Sequence, residues 1–220
     1  MLMTPDRRRV IKHGEVFTPP ELVNDMLDLV AHECERIDAR FLEPACGNGN
    51  FLAEVLRRKL LTVENKHRRF RGKWERDAFL CVCSVYGIEL LVDNVIDCRR
   101  RLLRVVDQAH RTVFKKPLPA KAVAAVQYVL KRNIVHADAL DMRTLDFRPI
   151  VFSEWSPVNG SLIKRRDFAY EHLVRTGQGT MLPLVNEQGQ GVYLPTPAGE
   201  FPPCHYLKVA SQDSGRGAAH

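Results

Sequence analysis

A glycine-containing turn holds the residues best suited to binding a ligand, and it reads Phe-Leu-Glu-Pro-Ala-Cys-Gly-Asn-Gly-Asn-Phe over 41–51. An apolar stretch typical of a strand ends at Glu43, and an apolar stretch typical of a helix follows the turn. Gly47 and Gly49 lie between them, and glycine is the usual residue where a backbone takes a positive φ or approaches a ligand closely. A glycine turn between a strand and a helix N-terminus commonly holds a nucleotide-like cofactor. The sequence therefore predicts a cofactor site at this turn.

Two acidic residues lie after later strand-like segments. Glu89 ends the segment 82–88, and Asp138 follows the short segment 133–136. A carboxylate offers two acceptor oxygens, so Glu89 is suited to accept hydrogen bonds from both hydroxyls of a ribose. Glu89 is further from the glycine turn than in a minimal unit, and a basic insertion at 60–78 accounts for the extra length.

Alternating strands and helices must position these residues. Strands are predicted at 40–43, 82–88, 133–136 and 149–152, and helices at 21–31, 50–60, 92–109, 120–131 and 167–175. This alternation predicts an α/β, Rossmann-like fold, with a mostly parallel sheet covered by helices on both faces. The segments 181–185 and 192–194 flank a polar, glycine-containing loop and predict a C-terminal antiparallel hairpin.

The first predicted helix begins with a capping pattern. Thr18 is expected to be the N-cap and Pro19 the first helical residue, and Glu21, three residues after Thr18, completes a capping-box pattern. Four apolar residues share one face of this helix, which is predicted to be buried: Leu22, Met26, Leu29 and Val30.

The length and composition of the chain indicate one globular domain. At 220 residues, with 45% hydrophobic and 27% charged residues, the chain can bury one substantial core. The predicted domain spans 1–208 and includes a basic N-terminal arm at 1–13. Residues 209–220 are predicted to form a flexible tail.

The charge of the chain favours a polyanionic partner such as nucleic acid. The formal net charge is +7 and the isoelectric point is about 9.2. Basic residues are concentrated at 57–76 and 99–104, and the first of these stretches is predicted to be an exposed connection ending in a helix with Trp74 and Phe79. The two stretches are predicted to contact DNA phosphates. A solvated helix face without a partner is the alternative interpretation.

The cysteines and the N-terminus indicate an intracellular protein. The six cysteines show no zinc-type pairing and are predicted to be reduced thiols: Cys34, Cys46, Cys81, Cys83, Cys98 and Cys204. Cys81 and Cys83 are expected to act as small core residues of the second strand. The basic N-terminus lacks the apolar core of a signal peptide, and no apolar run is long enough to span a bilayer. We therefore expect a cytoplasmic protein that does not bind membranes.

The glycine turn resembles the cofactor loop of S-adenosylmethionine-dependent methyltransferases. The order of the motifs is similar to that in N6-adenine DNA methyltransferases of the restriction-modification type. In that family a G-x-x-F/Y-T-P segment precedes the loop, and Gly-Glu-Val-Phe-Thr-Pro-Pro over 14–20 is similar to it. The resemblance implies that Phe17 and Thr18 contact the methionine part of S-adenosylmethionine.

The same resemblance implies further cofactor contacts. They are Glu43, Pro44, Ala45, Cys46, Gly47, Gly49, Glu89, Leu90, Asp138 and Ala139. A side chain at Gly47 or Gly49 is expected to occupy space that the ligand needs. Asp138 is the position that would bind the amine of the cofactor's adenine, with Asp141 and Asp146 as nearby alternatives. The resemblance implies no metal.

The resemblance ends at the catalytic motif. The family has Asn/Asp-Pro-Pro-Tyr/Phe after the fourth strand, whereas this chain has Val-Phe-Ser-Glu-Trp-Ser over 151–156. The candidate catalytic residues are therefore Ser153 and Glu154, as contacts to the target amine, and Trp155, as a ring that stacks on a flipped base. The alternative is that catalysis is lost and Trp155 is structural.

These motifs favour transfer of a methyl group to the N6 amine of adenine in DNA. A catalytically degenerate protein that binds cofactor or nucleic acid as a partner subunit or regulator is the alternative, and RNA or protein methylation is a further one. Only about 60 residues follow the fourth predicted strand, which leaves little room for a domain that reads DNA sequence. We therefore also expect a specificity or partner subunit.

Overall fold

The computed structural model describes residues 18–174, 180–185 and 191–213, and within 180–185 and 191–194 it describes the backbone alone. The helices are α1 (Pro20–Asp28), α2 (Ala31–Glu35), α3 (Asn50–His67), α4 (Arg71–Cys83), α5 (Val92–Phe114), α6 (Ala120–Asn133), α7 (Tyr170–Val174) and a 3-10 helix (Tyr206–Ser211). The strands are β1 (Phe41–Glu43), β2 (Val85–Glu89), β3 (Ile134–Asp138), β4 (Arg143–Thr144), β5 (Val151–Asn159), β6 (Leu162–Ala169), β7 (Thr180–Val185), β8 (Gly191–Leu194), β9 (Gly199–Glu200) and β10 (Cys204–His205). Of the helices in these ranges, none is long and apolar enough to cross a membrane.

The first four strands form one sheet in the order β1-β2-β3-β4. Strands β1, β2 and β3 run parallel, and the short β4 pairs antiparallel with β3. Helix α3 contacts β1 and β2, while α5 and α6 contact β2 and β3. This α/β arrangement with a mixed sheet is compatible with the predicted Rossmann-like fold. It also brings Glu43, Glu89 and Asp138, the last residues of β1, β2 and β3, to one edge of the sheet.

The predicted fourth strand does not join the parallel sheet. Strand β5 instead pairs with β6 in a separate antiparallel sheet, which β9 and β10 extend. Gly160 and Ser161 form the two-residue turn between β5 and β6, and Gly160 has a φ of 55°. Glycine at the first position of a two-residue loop favours a hairpin, and pairing with an adjacent segment closes only a short loop. The expectation of a mostly parallel sheet is therefore correct for β1–β3 and wrong for β5.

The predicted C-terminal hairpin is confirmed at the level of the backbone. Strands β7 and β8 pair antiparallel in a two-stranded sheet of their own. The loop between them, 186–190, lies outside the described residues. The helix predicted at 167–175 is shorter than expected, because 167–169 belongs to β6 and α7 begins only at Tyr170.

The basic stretch 57–76 is not an exposed connection. Helices α3 and α4 cover most of it, and only 68–70 lies between them. Trp74 and Phe79 lie on a helix as predicted and are both buried. Arginine, lysine, glutamate and leucine are good helix formers, so the high charge of this stretch is consistent with continuous helix.

The second strand begins later than predicted. Cys81 and Cys83 end α4, and β2 starts at Val85. A continuous apolar run cannot be assigned to helix or strand by periodicity alone, which explains the error. Both thiols are buried and free, as expected of small core residues.

Helix α1 buries a different face from the one predicted. It begins at Pro20, and its N-cap is Pro19 without a side-chain capping bond, so the expected Thr18 cap is absent. Val23 and Leu27 are 2% and 0% exposed, whereas the predicted face is 36–83% exposed. The helix ends at Asp28, and the two buried residues lie four apart on the side that packs against α3.

Residues 209–213 are packed against the rest of the chain. Val209 is fully buried in the 3-10 helix, which contacts α6. The Asp213 carboxylate accepts hydrogen bonds from the Tyr128 hydroxyl at 2.7 Å and from Arg132. The prediction of a flexible tail therefore fails for 209–213, and 214–220 lies outside the described residues.

Candidate cofactor site

The glycine turn at 44–49 connects β1 to α3 and lies against the end of β2. The Cys46 amide donates to the Ile88 carbonyl at 3.0 Å, and the Gly49 amide donates to the Cys46 carbonyl at 2.8 Å. Gly47 and Gly49 have φ values of 51° and 82°, a region that favours glycine. Gly49 is the N-cap of α3, so the turn leads directly into the first helical amides. The strand, turn and helix predicted from the sequence are all observed here.

Gly49 is required for packing against α5. A Cβ at Gly49 would lie 2.6 Å from Cys98 Sγ, and a Cβ at Gly87 would lie 2.7 Å from Cys46 Sγ. Packing against α5 is thus a second reason for glycine at this position, beside the space expected for a ligand. A hydrogen bond to Cys98, together with burial, raises the pKa of the Cys46 thiol, so the thiol stays neutral.

Glu89 is buried at the end of β2 and holds the glycine turn through its carboxylate. Its Oε2 accepts a hydrogen bond from the Gly47 amide at 2.8 Å, and its Oε1 accepts one from the Leu91 amide at 2.8 Å. A carboxylate has about four acceptor positions, so each oxygen can accept a further hydrogen bond. The residue predicted to bind ribose hydroxyls therefore lies beside the turn with acceptor capacity left.

Two oxygens at this turn are buried without a hydrogen-bond partner among the described residues: Glu43 Oε2 and Asn48 Oδ1. Burial, followed by the negative charge of Glu89, raises the pKa of Glu43 to about 7. A buried acceptor without a donor costs free energy, so such atoms are rare in folded proteins. Both oxygens are therefore available to donors that a ligand would bring.

The end of β3 completes this edge of the sheet. Asp138 Oδ1 accepts hydrogen bonds from two following backbone amides at 2.8 and 3.3 Å. His136 Nε2 lies 2.9 Å from the Leu90 carbonyl and so connects β3 to the loop after β2. Leu90 and Ala139 both keep exposed surface beside these carboxylates.

The segment before α1 also reaches the turn. The Thr18 carbonyl accepts a hydrogen bond from Asn50 Nδ2 at 3.5 Å, at the N-terminus of α3. Pro44 and Ala45 are exposed on the turn itself. Phe17, predicted to contact the cofactor, lies outside the described residues.

The chemistry of this edge fits S-adenosylmethionine. That molecule carries hydrogen-bond donors along its length, namely an ammonium group, two ribose hydroxyls and an adenine amine. The edge presents acceptors in Glu43, Asn48, Glu89 and Asp138, two of which have a buried oxygen without a donor. The residues present therefore match the hydrogen-bond donors and the positive charges of that molecule.

The structure separates the three candidate catalytic residues. Trp155 is 6% exposed, and its Nε1 donates to Asn133 Oδ1 at 3.1 Å within the core. Its ring has no free face for a base, which corrects the stacking interpretation and agrees with a structural role. Ser153 is also buried, and its hydroxyl donates to Asp167 Oδ1 at 2.7 Å.

Glu154 lies at the wall of a separate cavity. Its carboxylate pairs with Arg40 and, at 2.6 Å, with Arg166. The cavity has a volume of about 420 Å³, and Ser153 and Leu42 also line it. Its remaining lining includes three aromatic rings, those of Tyr86, Phe152 and Phe168. Leu42 immediately precedes Glu43, so β1 connects this cavity to the edge of the sheet that holds Glu43, Glu89 and Asp138, which we call the cofactor edge.

Sequence reasoning missed Asn48 and Asn133. Asn48 lies within the glycine turn, so the motif itself offered a signal for it. Asn133 donates to the Cys83 and Val85 carbonyls at 3.3 and 3.1 Å and accepts from Trp155. No sequence pattern marks a single asparagine at a helix end as the residue that positions a tryptophan.

Glu43→Gln is expected to raise stability at pH 8 and to leave it nearly unchanged at pH 4. The folded protein holds the Glu43 proton up to about pH 7, whereas an ordinary glutamate loses it near 4.5. Stability is therefore lost as the pH rises from 4.5 towards 7, and the loss persists above 7. A difference of this size corresponds to roughly 3 to 3.5 kcal/mol at pH 8. Urea unfolding at both pH values measures it, with Glu35→Gln, an exposed carboxylate, as the control. An equal response of the two variants would contradict the assignment.

Comparison with known proteins gives one short match. The chain is similar to the type II methyltransferase M.VspI of Vibrio sp. (strain 343), with 38% identity over 47 residues. The matched segment is 21% of this chain and 11% of that protein, so the chain spans about a tenth of the length of its curated relative. No family model matches the chain, and no solved structure matches it. The match supports a methyltransferase-like relationship at this coarse level.

Proposed function

We propose that this chain is a methyltransferase-like protein that binds S-adenosylmethionine at the edge formed by Glu43, Glu89 and Asp138. The observation that carries the proposal is the pair of buried acceptors without donors, Glu43 Oε2 and Asn48 Oδ1, in the glycine turn. The similarity of 47 residues to a type II methyltransferase supports the same class.

Each residue of the edge has a role that follows from its chemistry. Glu89 accepts hydrogen bonds from the ribose hydroxyls, and Asp138 accepts one from the adenine amine. Glu43 faces the cationic part of the cofactor, whose positive charge favours the ionised carboxylate. The remaining proposed contacts are Phe17, Thr18, Pro44, Ala45, Cys46, Gly47, Gly49, Leu90 and Ala139.

We further propose the N6 amine of adenine in DNA as the methyl acceptor, as the resemblance implies. When bound, the cofactor would supply a methyl group on a sulfonium, which would leave as a neutral thioether, and the methylated amine would lose one proton to solvent. The contribution of the protein is to orient the amine towards that methyl group, which can supply much of the barrier reduction. Glu154 is the proposed amine contact, because its carboxylate pairs with Arg40 and Arg166 and still has acceptor positions left.

A second candidate function is a catalytically inactive partner subunit or regulator. The burial of Trp155 favours it, because its ring has no free face for a base, and the two ion pairs of Glu154 already compensate the charge of that carboxylate within the protein. The cofactor edge is the same under both proposals, so cofactor binding and methyl transfer must be tested separately.

Glu89→Gln is expected to weaken cofactor binding by about 10- to 100-fold, because hydrogen bonds to a charged acceptor are worth more than those to an amide. Isothermal titration calorimetry with S-adenosylmethionine measures this change. Glu200→Gln is the matched control, since its exposed carboxylate pairs with Lys164 far along the sequence from the turn. If the wild-type chain binds no cofactor, or the two variants bind alike, the cofactor proposal is wrong.

Methyl transfer is tested with labelled cofactor against DNA, RNA and protein. Label on adenine N6 in DNA supports the enzyme proposal. Retained cofactor binding without transfer to any substrate supports the inactive partner. Label only in RNA or protein would replace DNA as the substrate class.

A further inference from the structure

The two basic stretches of the sequence meet at one groove. Arg57 from α3 and Arg101 and Arg104 from α5 line a cavity of about 340 Å³, with Pro20 and Asn50 among its other residues. The same three arginines line an adjoining cavity of about 520 Å³ that continues between α3 and α5. We call these joined cavities the arginine groove.

Several other cations of the two stretches are engaged within the protein. Arg58 pairs with Asp28, and Arg76 pairs with Asp77. Lys59 is buried and donates to three backbone carbonyls. Arg99 donates to the Ile134 carbonyl at 3.1 Å and to the Lys131 carbonyl at the end of α6. The basic stretches are therefore not uniform phosphate-binding surfaces.

The cations of the arginine groove are less neutralised. Arg57 pairs with Glu54, but among the described residues Arg101 donates only to Asn50 and Arg104 only to the Arg100 carbonyl. Burial and the like charges of Arg104 and Arg57 lower the pKa of Arg101, although nearby acids oppose this. An anion placed here would relieve the repulsion between the guanidinium groups.

Three acidic residues also face the groove, namely Glu54, Glu64 and Asp107. Glu64 and Asp107 line the part between α3 and α5. Asp107 is engaged by Arg111 at 2.7 Å and by the Leu118 amide at 2.8 Å. The part of the groove near Asn50 contains the three arginines with Glu54 as the facing carboxylate, so its net charge is positive.

We propose that the arginine groove binds the phosphodiester backbone of a nucleic acid. Guanidinium groups form paired hydrogen bonds to phosphate oxygens, and each neutralised phosphate releases counterions. The proposal deepens the proposed function by assigning the nucleic-acid contact to residues outside the cofactor site, and it requires neither the cofactor nor Glu154. It applies equally to an enzyme and to an inactive partner.

The test is the affinity of the full chain for a labelled 20-base-pair DNA duplex, measured by fluorescence anisotropy without cofactor between 50 and 200 mM salt. Arg101→Gln with Arg104→Gln is expected to weaken binding about tenfold or more at low salt and to reduce the salt slope by about 2. Glutamine at 101 is too short to replace the hydrogen bond from Arg101 Nη1 to Asn50, so thermal unfolding is used to confirm that the variant is folded. If the double variant does not fold, Arg104→Gln alone, on an exposed side chain, is expected to reduce the slope by about 1.

Arg68→Gln with Arg69→Gln is the matched control, since it removes the same charge from exposed residues of the same basic stretch. We expect less than about a threefold change in this control, because only screened long-range attraction is lost. An equal loss of DNA affinity in both double variants would overturn the proposal, because general surface charge would then explain the binding. No loss in the groove variant would overturn it as well.

Two further measurements separate other ligands. A groove variant that loses S-adenosylmethionine affinity but keeps DNA affinity would assign these arginines to the cofactor and overturn the proposal. A loss seen with heparin, a sulfated polysaccharide, but not with DNA or RNA duplexes would overturn it too. Because the DNA measurement contains no cofactor, its failure and the failure of the cofactor proposal are distinguishable.

Discussion

Gly49→Ala is expected to destabilise the protein by roughly 2–5 kcal/mol and to weaken cofactor binding. Two costs add: an L-residue at a positive φ costs about 1–2 kcal/mol, and overpacking costs about 1–3 kcal/mol. The structural reasons are the φ of 82° and a Cβ position 2.6 Å from Cys98 Sγ. Because the turn must shift away from α5, Gly47 and its hydrogen bond to Glu89 would shift with it.

Gly160→Ala is a matched control for this prediction. Gly160 also has a positive φ, 55°, but an added Cβ meets nothing within 4 Å. Only the conformational cost of about 1–2 kcal/mol is expected there, without any change in cofactor binding. Urea unfolding of both variants measures the difference, and equal destabilisation would refute the packing explanation.

A second comparison isolates the contact with Cys98. In a Cys98→Ala background the sulfur at 2.6 Å is gone, although the Cβ of residue 98 remains 3.3 Å from the new methyl group. Gly49→Ala should then cost about 1 kcal/mol less than in the wild type, which a double-mutant cycle measures. Strictly additive costs would show that the two residues do not interact.

Arg165→Met is expected to destabilise the protein by about 3–5 kcal/mol, because it leaves buried charge without a partner. Arg165 is 2% exposed and makes a bidentate pair with Asp167, at 2.8 and 2.5 Å. It also donates to the Tyr128 hydroxyl at 2.8 Å and to Asp213 at 3.0 Å. These contacts hold β6 against α6 and the C-terminal segment, so their loss should loosen all three.

Lys164→Met is the control for Arg165→Met. Lys164 lies on the same strand, but its pair with Glu200 is partly exposed at 3.1 Å. Such a pair is worth about 0–1 kcal/mol, so little change in urea unfolding is expected. Adding Asp167→Leu to Arg165→Met should restore part of the stability, since the unpaired charge is then removed. If the double variant is less stable than Arg165→Met alone, the buried-charge explanation fails.

The network also explains the environment of Ser153. Asp167 accepts from both Arg165 and the Ser153 hydroxyl, so the arginine fixes a wall of the cavity that contains Glu154. Arg165 belongs to a run of three basic residues at 164–166, and such a run does not by itself distinguish a buried side chain from an exposed one. The Arg165 side chain is buried because alternate residues of β6 lie on opposite faces of the sheet, and Arg165 lies on the face that packs against the core.

The sequence by itself determined the secondary structure of the cofactor edge. Strand, glycine turn and helix follow one another within 41–51, and the local pattern of apolar residues and glycines is enough to specify them. The same holds for Glu89 and Asp138 as the last residues of β2 and β3. Their roles towards a cofactor stay a prediction, since they depend on a molecule that local pattern only implies.

Only the tertiary structure decided which elements pair and which groups are buried. The same apolar alternation in 149–159 fits a parallel or an antiparallel strand, and its partner β6 settled the choice. Likewise, Arg99 and Arg101 lie in the same basic stretch, and the sequence does not distinguish them. Arg99 donates to a carbonyl at the end of α6, whereas Arg101 lines the arginine groove. The burial, the pairing and the pKa of a side chain depend on contacts between residues far apart in the chain. Such contacts cannot be derived from the spacing of residues along the sequence.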